Sequence, residues 1–193
     1  KTLFPYTTLF RSGHEVELDA DALSSHTRFA GDDATRLAAI HRAADSGADV
    51  ALISRGGYGL TRILPGIKYK QVAKAIAKGT QFVGLSDFTA FQNALLAKTG
   101  AVSWAGPALG EDFGAEQPDD IMEACFDDMV SGQGEGAGWH FSTACAAANA
   151  KRRSGVWAHD AVLWGGNLAV LVSLLGTPFF PQIKNGVLFL EDV

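Results

Sequence analysis

Short continuous apolar runs alternate along this chain with stretches in which apolar residues recur at helical spacing. The pattern is clearest in residues 81–96, where an apolar run ends at Gly84 and Phe88, Phe91 and Leu95 follow at helical intervals. We therefore predict a strand, a tight turn and a helix, with Ser86 at the turn.

The same alternation continues on both sides of this unit. It predicts strands at residues 14–18, 48–53 and 101–105, and helices at residues 34–46, 69–78 and 118–130. On the last helix, the residues expected to face inward are Ile121, Met122, Ala124, Cys125 and Met129. Strands that alternate with helices predict a mainly parallel open sheet with right-handed crossovers, as in Rossmann or flavodoxin-like folds. Residues 13–130 thus form one predicted α/β domain, with its first strand missing.

The pattern changes after the glycine-rich residues 131–138, which we interpret as a linker. Beyond it we predict strands at residues 139–142 and 161–164, a buried helix at 168–175 and a last strand at 186–193. Residues 139–193 are therefore expected to be the incomplete beginning of a mostly β C-terminal domain.

The first twelve residues fit no element of this alternation. They have neither an amphipathic period nor a signal-peptide pattern, and residues 2–12 resemble the translation of a sequencing-library adapter. An edge strand at residues 7–10 is the alternative. We expect residues 1–12 to be non-native and the chain to be a fragment truncated at both ends.

Composition narrows the classes of function. The 193 residues are 47% hydrophobic, enough for a substantial core, and the net charge of -5 argues against nucleic acid or an anionic membrane as partner. Cys125 and Cys145 have no metal-ligand spacing, and the longest apolar stretch is too short to span a bilayer. We expect a soluble cytoplasmic protein.

Two loops carry the candidate chemistry. Ser86 lies where a helix begins, so its hydroxyl could act as a nucleophile beside amides at the positive end of a helix dipole. The alternative is that Ser86 caps the helix while Asp87 adds charge to the first turn. The glycine-rich residues 54–60 follow the preceding strand, and their backbone could approach a bound ligand closely. The alternatives are a flexible loop or a phosphate-binding loop. Both loops are expected at the carboxyl edge of one parallel sheet.

Several motifs together resemble those of the serine LD-carboxypeptidase family, in the family's order. They are Phe29-Ala30-Gly31-Asp32, Arg55-Gly56-Gly57-Tyr58-Gly59, Gly84-Leu85-Ser86-Asp87-Phe88-Thr89, Gly106-Pro107, Gly165-Gly166-Asn167-Leu168, Leu175-Gly176-Thr177-Pro178 and Phe189-Leu190-Glu191-Asp192. The resemblance implies an N-terminal α/β domain, a largely β C-terminal domain and a Ser-Glu-His triad between them.

The resemblance also implies residue roles. Ser86 would be the nucleophile and Glu191 the acidic residue that orients the histidine, while the amides of Asp87 and of Gly56 or Gly57 would bind the oxyanion. The family's histidine is expected beyond Val193. The five histidines present are interpreted as solvated or core residues: His14, His26, His41, His140 and His159.

The implied reaction is hydrolysis of an L,D-peptide bond, which releases D-alanine from a recycled cell-wall tetrapeptide. The implied partner is a muropeptide or another small peptide, with neither metal nor cofactor, and a homodimer remains open. Without the histidine, this chain is expected to be inactive. Two alternatives stay open: a microcin-immunity peptidase acting on a peptidyl-nucleotide, and a non-catalytic α/β module that binds a small ligand.

Overall fold

The computed structural model of the chain describes residues 13–134 and 158–192. The adapter-like residues 1–12, the second half of the predicted linker and the predicted strand at 139–142 lie outside these ranges. In chain order the elements are α1 (Asp33–Asp45), β1 (Val50–Leu52), α2 (Leu60–Ile63), a 3-10 turn (Leu64–Gly66), α3 (Tyr69–Ala77), β2 (Gln81–Gly84), a 3-10 turn (Ser86–Phe88), α4 (Thr89–Thr99), β3 (Trp104–Ala105), a π-helical turn (Leu109–Phe113), α5 (Asp120–Val130), β4 (Leu163–Asn167), α6 (Leu168–Ser173) and β5 (Val187–Glu191).

The first three strands form one parallel sheet in the order β1-β2-β3. Val50 pairs with Gln81 and Val83 pairs with Trp104, so β2 lies in the middle. Helices connect these strands, as crossovers between parallel strands require. The predicted α/β fold with a mainly parallel sheet is confirmed.

A second, smaller sheet follows in the C-terminal part of the chain. Its two strands, β4 and β5, are also parallel, and their register runs from Leu163 opposite Val187 to Asn167 opposite Glu191. The short helix α6 lies between them in sequence and contributes the buried Leu171. In the described parts of the chain, no helix is long and apolar enough to cross a membrane.

The main core is centred on α4. Phe91, Ala94 and Leu95 of this helix are fully buried, and Phe88 stacks on Phe91 with ring centroids 4.7 Å apart. Buried residues lie on several sides of α4 because α3, α6 and β4 all pack against it. The helix that follows Ser86 is therefore held rigidly from several directions.

Three predictions of local structure were wrong: the strand at residues 14–18, the inward face of α5 and the full burial of the helix at residues 168–175. Residues 14–18 form no strand. On α5, four of the five residues predicted to face inward are exposed, namely Ile121 at 71%, Ala124, Cys125 and Met129, while Phe126 is buried. The apolar residues of α5 form two adjacent stripes, each with a spacing of four residues. The stripe with Phe126 packs against the core, where the ring centroids of Phe126 and Phe113 are 5.0 Å apart.

The helix expected to be buried at residues 168–175 is buried on one side only. Leu171 and Leu174 are buried, whereas Val172 is 51% and Leu175 57% exposed. Ser173 is the only polar residue of this run, which is too little to indicate which side is covered. The prediction of a fully buried helix was therefore wrong.

Candidate active site

Ser86 lies in a strained turn between β2 and α4. Its φ of 58° is in the left-handed region, which residues other than glycine seldom adopt. Neither the 3-10 turn at Ser86–Phe88 nor α4 has a side-chain cap, so the interpretation of Ser86 as a helix cap is wrong. A serine held in a strained strand-to-helix turn is the arrangement that displays a nucleophile.

The glycine-rich loop contacts Ser86 directly. A Cβ atom placed on Gly56 would lie 3.0 Å from Ser86 Cβ and 3.4 Å from Ser86 Oγ. A side chain at this position would crowd Ser86 and require it to shift slightly, so glycine lets the loop backbone come this close. The two loops thus meet at one edge of the sheet, where parallel strands end.

The Asp87 side chain connects the same two loops. It is 7% exposed, and its Oδ2 accepts a hydrogen bond from the Leu60 amide at 2.8 Å. Burial raises the pKa of Asp87, although the amides of Leu60 and Gly59 and the charge of Arg36 oppose the rise. From the sequence, Asp87 was expected to contribute its backbone amide or a charge in the first helical turn, because nothing local indicates where its carboxylate points.

Segment 29–36 supports the outer part of the glycine loop. Arg36 donates to the Gly59 carbonyl at 3.2 Å, and its guanidinium lies 4.3 Å from the centre of the Phe29 ring. Phe29 presses on Gly59, where a Cβ would come within 2.4 Å of the ring. Asp32 caps α1 through the Thr35 amide at 2.8 Å, which fixes the helix that carries Arg36.

A carboxylate that sequence analysis did not identify also reaches this site. Glu111 Oε2 accepts a hydrogen bond from the Gly56 amide at 3.2 Å, and Glu111 Oε1 lies 3.3 Å from Arg55 Nη2. The π-helical turn that carries Glu111 is held by Ser54, whose carbonyl accepts from the Gly110 amide at 2.7 Å. Glu111 is far from Gly56 in sequence, so no local signal could have revealed the contact.

The C-terminal strand pair approaches Ser86 through α4. The Asn167 amide donates to Thr89 Oγ1 at 3.0 Å, and Asn93 Nδ2 donates to the Gly165 carbonyl at 2.8 Å. Glu191 is exposed and pairs with Asn167 across the parallel strands. The strand end that carries Glu191 therefore lies near Thr89, three residues after Ser86, although the structure assigns Glu191 no catalytic contact.

No described histidine forms a hydrogen bond or ion pair with Ser86; His140 lies outside the described residues. Burial lowers the pKa of His41. The interactions of the described histidines are His14 Nε2 with Asp127 Oδ1 at 3.0 Å, His41 Nε2 with the Lys68 amide at 3.0 Å, His159 Nδ1 with Asp160 Oδ2 at 2.7 Å, and the backbone bridge of His26 with Phe29. Within residues 13–134 and 158–192, no group of three or more His, Cys, Asp or Glu side chains is arranged to hold a metal ion.

Known proteins share both the sequence and this architecture. The chain is 30% identical over 182 residues to a probable murein peptide carboxypeptidase of Bacillus subtilis, covering 94% of this chain and 54% of that protein. A solved muramoyltetrapeptide carboxypeptidase from Oxalobacter formigenes superposes with a TM-score of 0.78 at 33% identity, over 98% of this chain and 60% of that one. The Microcin C7 self-immunity protein MccF of Escherichia coli is 27% identical over 175 residues, 71% of this chain and 45% of that protein.

These matches define the family, and the chain spans about half the length of the curated relatives it matches. Residues 5–106 match the LD-carboxypeptidase N-terminal domain, and residues 160–193 match the LD-carboxypeptidase C-terminal domain. The matched segments contain the Ser86 turn and the glycine-rich loop in the first domain and Glu191 in the second. The chain therefore belongs to the LD-carboxypeptidase family.

Proposed function

We propose that this chain forms the nucleophile-bearing part of a cytoplasmic serine-type hydrolase that cleaves an L,D-peptide bond. The product would be a C-terminal D-amino acid, D-alanine from a cell-wall tetrapeptide during peptidoglycan recycling. The observation that carries the proposal is the contact of the Gly56 backbone with Ser86 in its strained turn. The names of the Bacillus and Oxalobacter relatives support the choice of substrate.

In this proposal the Ser86 hydroxyl attacks the carbonyl carbon of the L,D-peptide bond. The amides of Asp87 and of Gly56 or Gly57 stabilise the negative charge that develops on the carbonyl oxygen. The Gly56 amide already donates to a carboxylate oxygen of Glu111, which supports its ability to bind an anionic oxygen. Glu191 would orient a histidine that takes the proton from Ser86 and later passes it to the leaving amine.

We also propose that these 193 residues do not complete the reaction alone. None of the described histidines, His14, His26, His41 and His159, forms a hydrogen bond or ion pair with Ser86, and His14, His41 and His159 are engaged by Asp127, the Lys68 amide and Asp160. Without a base, the serine hydroxyl stays protonated near neutral pH. Loss of one triad member costs on the order of 10⁴ to 10⁶ in rate.

The test compares this chain with a version extended by the rest of the C-terminal domain of a relative. Both would be incubated with an L,D-tetrapeptide ending in D-alanine, and free D-alanine would be measured. We expect release only by the extended protein, and none by its Ser86→Ala variant. Release by the extended Ser86→Ala variant would refute the nucleophile, and equal release by both lengths would place the base within the chain.

A second candidate, cleavage of a peptidyl-nucleotide, is favoured by the similarity to the microcin self-immunity protein. The extended protein would be assayed on both substrate classes, and the larger kcat/KM identifies the better one. A non-catalytic ligand-binding module would hydrolyse neither substrate. It would also leave Ser86 unlabelled by a fluorophosphonate probe, because labelling requires an activated serine.

A further inference from the structure

Arg55 gives the mouth of the proposed site a positive charge that the reaction scheme above does not use. Its side chain is 70% exposed and immediately precedes Gly56, whose amide is a proposed oxyanion donor. The chain carries a net charge of -5, so a cation at this position changes the local potential toward an anionic substrate.

A carboxylate is already bound by the Arg55–Gly56 pair in this structure. Glu111 places one oxygen 3.2 Å from the Gly56 amide and the other 3.3 Å from Arg55 Nη2. Both side chains are substantially exposed, and an exposed ion pair contributes at most about 1 kcal/mol. A second carboxylate could therefore displace Glu111 at little cost.

We propose that Arg55 is a specificity-determining residue that binds the free terminal carboxylate of the D-amino acid to be released. This inference rests on the proposed function and adds to it the residue that recognises the terminal carboxylate of the substrate. In such a substrate, only the amide nitrogen and one Cα atom separate the scissile carbonyl carbon from the carboxylate carbon. When the carbonyl oxygen accepts from the Gly56 amide, the carboxylate lies within reach of the Arg55 side chain.

Glu111 would then be a competitor for the same two groups. Its carboxylate occupies both the oxyanion donor and the cation, so it must leave before the substrate engages them. Guanidinium binds carboxylate through charge-assisted hydrogen bonds, which are about twice as strong as neutral ones. A substrate with a terminal amide would lose this advantage and would displace Glu111 less well.

The first experiment uses the 193-residue chain with N-acetyl-D-alanine and N-acetyl-D-alaninamide. These probes differ only in the carboxylate, and binding is followed by the NMR shift of the Gly56 amide. We expect the acid to bind a few-fold more tightly than the amide, because an ion pair with the exposed Arg55 contributes at most about 1 kcal/mol. Equal affinities, or no shift with the acid, would overturn the proposal.

Three variants separate the role of Arg55 from general effects. Arg55→Gln should reduce the affinity for the acid to that for the amide. Glu111→Gln should tighten binding of the acid a few-fold because a charged competitor is removed. Arg62→Gln is the matched control, since Arg62 is 63% exposed and forms one ion pair, with Asp33. Retained preference for the acid in Arg55→Gln, or its loss in Arg62→Gln, would refute the assignment.

The extended protein distinguishes failure of this inference from failure of the proposed function. If it hydrolyses a tetrapeptide and its C-terminal amide with equal kcat/KM, the function stands and the role of Arg55 falls. If it hydrolyses neither while the acid still shifts Gly56 in the shorter chain, the carboxylate site stands and the function falls. We expect a preference of a few-fold for the free acid, abolished by Arg55→Gln.

Discussion

At the scale of single residues, the site depends on a glycine that lets a loop approach Ser86 and on a side chain that holds that loop in place. Gly56 allows the loop to touch Ser86, and Asp87 ties the far end of that loop to the same turn through the Leu60 amide. Because Asp87 is buried, its charge is more costly in the folded protein than in water. The charge state of Asp87 should therefore affect stability.

We predict that Asp87→Asn becomes more favourable relative to the wild type as pH rises above 3.8. Burial raises the pKa of Asp87 above that value, so the folded state binds the proton more tightly than the unfolded state. Ionisation therefore lowers the stability of the wild type as pH rises through the folded-state pKa, while asparagine has no proton to lose. Urea unfolding of both proteins across this pH range measures the difference.

Asp87→Ala provides the comparison for the hydrogen bond. Alanine leaves the Leu60 amide without its acceptor and should cost about 1–3 kcal/mol across the pH range. A constant difference between Asp87→Asn and wild type at all pH values would contradict the effect of burial.

At the scale of elements, α4 joins the two sheets. Its first turn holds the β4 strand through Thr89 Oγ1, and Asn93 holds the same strand one turn later. Gly166 permits this contact, because a Cβ there would lie 2.5 Å from Thr89 Oγ1. The helix that begins beside Ser86 thus also positions the strand pair that carries Glu191.

We predict that Thr89→Val destabilises the protein by about 1 kcal/mol, the cost of leaving the part-buried Asn167 amide without its acceptor. Valine has nearly the same shape as threonine, so loss of packing contributes little. Thr61→Val is the control, because Thr61 is exposed on α2 and its change should stay within about 0.5 kcal/mol. Denaturant unfolding measures both, and similar values for the two variants would refute the role of Thr89.

At the scale of the whole molecule, the small C-terminal sheet presents apolar residues to solvent. Leu188, Phe189 and Leu190 of β5 are each about half exposed, at 46%, 51% and 49%. Consecutive residues of a strand point to opposite faces, so both faces of β5 are apolar and accessible. Such strands favour association with another chain.

We predict that the chain self-associates as its concentration increases and that Phe189→Lys reduces the association. A lysine on the exposed strand opposes pairing by charge and by the cost of burying it. Ile121→Lys is the control, because Ile121 is 71% exposed on α5, away from β5. Sedimentation velocity over a range of concentrations measures the effect. A monomer at all concentrations, or equal effects of both variants, would contradict the prediction.

The sequence by itself determined the order of β1, β2 and β3, of the helices α1, α3, α4 and α5 among them, and the meeting of the two central loops. The helices predicted at residues 34–46 and 118–130 are observed as α1 and α5, which begin after the caps Asp32 and Asp119. The approach of Gly56 to Ser86 followed from topology, because each follows a strand of one parallel sheet and such strands end at a common edge. These features depend on local chemistry and on a general rule of chain connection.

Only the tertiary structure decided which side chains complete the site. Glu111 reaches the Gly56 amide, and Asp87 accepts from Leu60, across separations at which the sequence has no periodic signal. The buried face of α5 was also undetermined, because its two apolar stripes are equally good and the position of Phe113 selects the one with Phe126. Such choices depend on where distant segments pack, and the spacing of residues within one element does not contain that information.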